Sequence, residues 1–196
     1  EFLVSFSNLI VDFPEIEDID IALSPGQSGL VAADAAILLA DDYSGTSPYP
    51  HLVFTPYPSR YTETWTLRNG TQVLLRPIRP EDEPMGREMF AGVSEETLRV
   101  RFFTTQKITH HLLIRFCNID YDREIGIVAE ISEGDKKRLI GGARFIREPD
   151  SRTAQFALLV KDDYQGMGLG AKFIDILIGI AHDKELDELY GVVLTE

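Results

Sequence analysis

Three glycines fall within the six residues Gln165-Gly166-Met167-Gly168-Leu169-Gly170. Before them lies a strand-like run, Ala154 to Val160, and after them Phe173, Ile174, Leu177, Ile180 and Ala181 recur at helical spacing. A strand, a glycine loop and a helix in that order leave N–H groups at the helix start without internal partners, beside the positive end of the helix dipole. Such a site suits a pyrophosphate, and glycine lets the anion approach closely. A dinucleotide-binding fold would put this loop in the first strand-helix-strand unit of a parallel sheet. Here Ile125 to Ile131, Leu139 to Ile146 and Ala154 to Val160 precede it, joined by turns at Glu133-Gly134-Asp135 and Pro149-Asp150-Ser151. They predict an antiparallel meander, and Tyr190 to Leu194 predicts one more strand after the helix.

Upstream, Asn69-Gly70 between Thr64 to Leu67 and Gln72 to Leu75 is a strong hairpin signal. Ser94, followed by Glu95 and Glu96, predicts a helix N-cap, and Thr109 caps a segment carrying Leu112, Leu113 and Phe116. The first forty residues read as a helix ending in Val11-Asp12-Phe13-Pro14, a strand Ile16 to Ile21, a Ser24-Pro25-Gly26 turn and a strand Leu30 to Leu39. These pieces are too few to close a core. A polar stretch rich in Pro, Ser and Gly, Asp41 to Pro50, marks a linker before the next unit.

Charge narrows the partners. Nineteen Lys and Arg against 32 Asp and Glu give a net charge of -13, which repels nucleic acid. No apolar run reaches the length of a membrane span. Cys117 is the only cysteine, which rules out an intramolecular disulfide and fits a reducing cytoplasm; within Leu112 to Cys117 it reads as a buried, inert thiol.

The loop has the spacing of the Gln/Arg-x-x-Gly-x-Gly/Ala motif, with Gln165, Gly168 and Gly170 in the fixed places. It resembles that of the GNAT acyltransferases. Leu74 to Glu83, Arg101-Phe102-Phe103, Ile119 to Glu124 and Lys161 to Gly166 are similar to one branch of that superfamily. The branch comprises protein lysine acetyltransferases fused to ADP-forming acyl-CoA synthetase-like domains of the ATP-grasp type. The resemblance implies an α/β (α+β) fold with a central, mostly antiparallel sheet and flanking helices over residues 64–196. It also implies a small ATP-grasp remnant over 1–42, with 43–63 as linker. Ala22 and Leu23 depart from the Asn-Pro usual in that remnant, and nucleotide chemistry there is not expected.

The resemblance further implies direct transfer of acetyl from acetyl-CoA to the lysine side chain of a protein substrate, such as an acyl-CoA synthetase, with no metal. Gln165, Gly166, Met167, Gly168, Leu169, Gly170 and Ala171 would hold the pyrophosphate. The backbone of Leu158 and Val160 would take the pantetheine amides, and the Val160 N–H would serve the oxyanion. Ala154-Gln155-Phe156-Ala157 stands where the branch has Ala-Glu-Phe-Ala, and an amide cannot take a proton at neutral pH. Glu130, Glu124 and Asp120 are the acids expected to border the acceptor, and of His110 and His111 at most one can face it. The family continues past Tyr190 to Leu194 with a further helix and strands, so the chain is expected to be a piece, with an open sheet edge that invites a homo-oligomer. Two alternatives stay open: an acetyl-CoA-binding regulatory module, and a small-molecule N-acyltransferase.

Overall fold

The computed structural model describes residues 2–13, 15–26, 29–40, 55–103, 108–134 and 136–194. The chain divides into two compact units, residues 1–56 and 57–196.

In the first unit a helix, α1 (Phe2–Asp12), precedes a two-stranded antiparallel hairpin of β1 (Ile16–Gly26) and β2 (Gly29–Leu39). The turn expected at Ser24-Pro25-Gly26 lies later. Ser24 and Pro25 pair with Val31 and Leu30 inside the hairpin, and the chain reverses between Gly26 and Gly29. In a two-stranded sheet both strands are edges, so Pro25 can turn its missing N–H outward without breaking a ladder. None of this unit's described side chains is buried, as expected of pieces too few to make a core.

The second unit is built on a six-stranded sheet in chain order: β3 (Glu63–Thr66), β4 (Gln72–Pro77), β5 (Glu124–Glu133), β6 (Lys136–Arg147), β7 (Thr153–Val160) and β8 (Glu188–Gly191). Every neighbouring pair is antiparallel except β7 with β8. The hairpin, the meander and the strand-loop-helix-strand unit thus stand where the sequence puts them. The last strand comes two residues earlier than Tyr190 to Leu194, and Val192 to Leu194 lie beyond it. Residues 43–54 of the expected linker lie outside the described residues, but 57–63 belong to this unit: Tyr57 Oη donates to Pro77 O at 2.9 Å and Tyr61 Oη to Asp183 Oδ2 at 2.9 Å.

Helices cover both faces of the sheet. On one face lie α2 (Glu83–Ala91), α3 (Glu95–Phe102) and α4 (His110–Cys117), where Met89 and Val93 pack on Val128, Leu139 and Leu159. On the other, α5 (Leu169–Asp183) sets Leu169, Phe173, Leu177 and Ile180 against Leu75, Ile125, Ile127 and Phe145. Ile174 falls off this stripe and is exposed. Because both faces are covered, Ile125 to Ile131 is buried without a break rather than at alternate positions. The N-caps form as expected: Ser94 Oγ accepts from Thr97 N and Thr109 Oγ1 from Leu112 N. Cys117 is buried, and burial pushes its thiol up to about 11, so it is inert at neutral pH.

Candidate active site

The β-ladder decides which backbone groups are free. Lys161 N donates to Ile140 O, so in the unbroken register of β6 and β7 the N–H and C=O of Leu159, Ala157 and Gln155 face β6. Those of Leu158 and Val160 face the other way. On that side β8 pairs only from Thr153↔Glu188 to Phe156↔Gly191 and then stops. The Phe156 ring lies against Gly191, where a Cβ would come within 2.9 Å of it, so any larger residue would have to push the ring aside. Beyond that point β7 presents the peptide edges of Leu158 and Val160 to a cleft of about 690 Å³.

The glycine loop closes one end of the cleft. A single helical turn, Asp162–Tyr164, leads into Gln165, whose Nε2 donates to Val160 O at 3.0 Å. Gly168 is the N-cap of α5 with φ +91°, a left-handed conformation that favours glycine, and Lys172 N makes the helix's first bond, back to Gly168 O. The N–H groups of Leu169, Gly170 and Ala171 therefore have no helical acceptor and gather at the positive end of a helix of 15 residues. Arg68, in the β3–β4 turn, braces the loop: its N–H donates to Met167 O at 3.3 Å and its Nη1 to Gly166 O at 3.2 Å. Asp162 braces the other side by accepting from Ser94 N at 2.8 Å, Ser94 Oγ at 2.7 Å and Thr97 Oγ1 at 2.7 Å. These bonds, led by the Ser94 hydroxyl, hold the Asp162 carboxyl down at about 2.

Of the residues singled out by sequence, Gln155, Leu158, Val160, Gln165, Gly166 and Gly170 line this cleft. Met167 and Leu169 turn their side chains into the core, Gly168 lies against Trp65, and Ala171 is exposed on the first turn of α5. The candidate acids are elsewhere. Glu130 is buried, bound by Arg76 Nη2 at 2.8 Å and Lys137 Nζ at 2.9 Å, in a network where Arg76 also grips Asp82 through two bonds of 2.7 Å. Burial pushes the Glu130 carboxyl up, but Lys137 and Arg76 more than reverse this and hold it below its ordinary range. Glu124 is paired with Arg144, and Asp120 accepts from Asp122 N in its own loop. His110 is exposed and bonded to Glu83, and His111 is exposed as well. None of these lines the cleft.

The sequence reading had Arg101 only within the resemblance carried by Arg101-Phe102-Phe103, not in the site; it lines the cleft from α3, as does Glu96. The sequence reading also missed Arg144, whose position inside the apolar run Leu139 to Ile146 was the available signal. Among the described residues no cluster of His, Cys, Asp and Glu gathers to hold a metal, and no helix is long and apolar enough to cross a membrane.

Comparison with known proteins agrees with this geometry. The acetyltransferase (GNAT) family matches residues 93–194, which include the meander, the glycine loop, α5 and β8. The chain is 30% identical over 128 residues to Acetyltransferase PA5475 of Pseudomonas aeruginosa, covering 65% of this chain and 69% of that one. It is 34% identical over 131 residues to Acetyltransferase Pat of Mycolicibacterium smegmatis, covering 66% of this chain but only 39% of that one. The GNAT domain of S. lividans PAT shares the fold, with a TM-score of 0.63 at 24% identity over 70% of this chain and 81% of that domain. Mycobacterium smegmatis RimJ in complex with CoA-disulfide shares it more loosely, with a TM-score of 0.51 at 14% identity over 69% of this chain and 68% of that one. The family's acetyl donor is acetyl-CoA, and a free strand edge beside a glycine-capped helix start fits its amides and its pyrophosphate. The chain belongs to the acetyltransferase (GNAT) family.

Proposed function

We propose that this chain transfers the acetyl group of acetyl-CoA to the side-chain amine of a protein lysine. One observation carries the reading: the free edge of β7 at Leu158 and Val160 and the start of α5 open onto the same cleft. Acetyl-CoA supplies an activated thioester, and the chain's own groups hold and orient it. The N–H groups of Leu169, Gly170 and Ala171 take the pyrophosphate, with Gly168 giving it room. The peptide groups of Leu158 and Val160 take the pantetheine amides, and the outward Val160 N–H can donate to the carbonyl oxygen as charge builds there. A lysine acceptor is favoured by the likeness to the lysine acetyltransferase branch in Leu74 to Glu83 and Ile119 to Glu124.

Proton removal sets the limit on rate. A lysine amine of pKa about 10.4 costs about 4.6 kcal/mol to deprotonate at pH 7, and Gln155 cannot accept that proton. Gln155 is exposed in the cleft and makes no side-chain hydrogen bond to the described residues. Glu96 also lines the cleft but is paired with Arg99, so in this reading the amine arrives neutral. Gln155 favours a second reading, a module that binds acetyl-CoA and transfers slowly or not at all. Release of free thiol from acetyl-CoA, followed with and without a lysine-bearing protein beside a binding titration, separates the two. Release that depends on the protein supports transfer; tight binding without release supports the module.

A further inference from the structure

Two charged side chains of α3 line the cleft, Glu96, which is paired with Arg99, and Arg101; Arg144 stands close behind. In the register of β6 and β7, Arg144 stands opposite Ala157, so it shares a sheet face with Gln155 and Leu159, the face that α2, α3 and α4 cover. A small, largely apolar cavity of about 80 Å³ lies on this face among Phe90, Phe102, Leu113 and Phe116. Arg101, Ala157 and Leu159 line both this cavity and the acetyl-CoA cleft, so the two spaces adjoin at Arg101.

The two guanidinium groups are held by rings. That of Arg101 sits 4.7 Å from the centre of the Phe102 ring, and that of Arg144 sits 5.0 Å from the centre of Phe116. Arg144 has Glu124 as counterion. Arg101 has none: among the described residues no carboxylate lies within ion-pair distance, although the chain carries 32 acids against 19 Lys and Arg. Burial, and after it the like charge of Arg144, lower the pKa of Arg101, and it remains a cation at neutral pH. Arg115 adds its positive charge to the same neighbourhood. A half-buried guanidinium beside a second one, without its own anion, is an unfavourable arrangement for the folded chain alone. It lines the same cleft as Gln155 and the free edge of β7.

We propose that Arg101, supported by Arg144, binds a carboxylate that the acceptor carries beside its reacting amine. This deepens the proposed transfer reading and rests on it. A guanidinium fork matches a carboxylate bidentately, and the Phe102 ring keeps the fork in place. Two sources offer that chemistry: an acidic residue next to the acceptor lysine in a protein, and the α-carboxylate of a free amino acid.

The test uses two pairs of acceptors with acetyl-CoA. One pair is a peptide with a single lysine flanked by Glu and its counterpart flanked by Gln; the other is free lysine and lysinamide. The acidic member of one pair is expected to be favoured in kcat/KM on the order of tenfold, and the pair that shows the preference names the source. In Arg101→Gln the ratio falls to near one, and in Arg101→Lys, which keeps the charge and the fold, part of it survives. Ratios near one for both pairs with the native chain overturn the proposal, as does a preference that Arg101→Gln leaves intact. If acetyl-CoA binds but no acceptor turns over, transfer itself fails. The same ligands titrated into the CoA-saturated protein then decide: acidic members binding about tenfold tighter, only while Arg101 is present, uphold the anion site, and equal binding sinks it.

Discussion

Substituting Gly168→Ala strains the glycine loop at one point whose cost can be worked out. The residue has φ +91°, and a non-glycine residue in the left-handed region costs about 1–2 kcal/mol. A Cβ there would also stand 3.3 Å from Trp65 Cη2 and 3.6 Å from Arg68 Nε, so the β3–β4 turn must give way slightly. For a domain of this size that strain lowers Tm by about 3–6 °C. The loop can relax only by turning away from the left-handed conformation, which moves the Leu169, Gly170 and Ala171 N–H groups away from the proposed pyrophosphate site. A hydrogen bond to a charged group is worth about 1.5–3 kcal/mol, so losing one raises the Kd for acetyl-CoA by about tenfold or more. Gly170→Ala is the control, because Gly170 is helical and its nearest contact would be Leu158 Cδ1 at 4.0 Å. It should hold or raise Tm, since Ala is the better helix former by up to about 1 kcal/mol. Calorimetric melts and titrations of acetyl-CoA read both quantities. A Gly168→Ala chain that melts and binds like the native one, or a Gly170→Ala chain that is equally damaged, would show that the left-handed conformation at Gly168 does not hold the loop in its binding shape.

Transfer by the native chain should rise about tenfold per pH unit between pH 7 and 9, as the neutral amine becomes available, whereas Gln155→Glu should raise the rate at pH 7 by tenfold or more and flatten that profile; a flat native profile would exclude the neutral-amine route. Asp162→Asn should lower Tm at neutral pH: a carboxyl held at about 2 stabilises the fold above its ordinary range and loses that contribution as pH falls through about 2. The gap in Tm between the two chains should therefore close in acid, and a gap that widens there counts against the bonds from Ser94 and Thr97. Glu130→Gln removes one member of a buried network and should cost on the order of 3 kcal/mol, a fall in Tm of on the order of 10 °C. An unchanged Tm with lost transfer would instead return Glu130 to the reacting site.

The parts of the fold that could be read from the sequence are those decided locally. Strand period, the Asn69-Gly70 turn, the caps at Ser94 and Thr109 and the spacing from Gln165 to Gly170 each depend on residues within a few positions of one another. The parts that could not be read depend on distant partners. Glu130 looks like a solvated acid at a strand end until Arg76, 54 residues earlier, is brought against it. Asp162 and Ser94 are 68 residues apart, and nothing near either one announces their bond. Arg101 lies on a short helix with ordinary surface charges, and its role at the junction of two cavities comes from β6 and β7. Pro25 suggested a turn on local preference, and only the openness of a two-stranded sheet let it stay in a strand.

The most direct test of transfer through this cleft is to mix the protein with acetyl-CoA and a lysine-bearing protein and to measure released thiol and acetylated lysine together, the latter by mass spectrometry. One acetylated lysine is expected for each thiol released, with loss of both signals in Gly168→Asp, which puts a negative charge at the proposed pyrophosphate site. Undiminished acetylation by Gly168→Asp, or thiol release without acetylated lysine, contradicts transfer through this cleft.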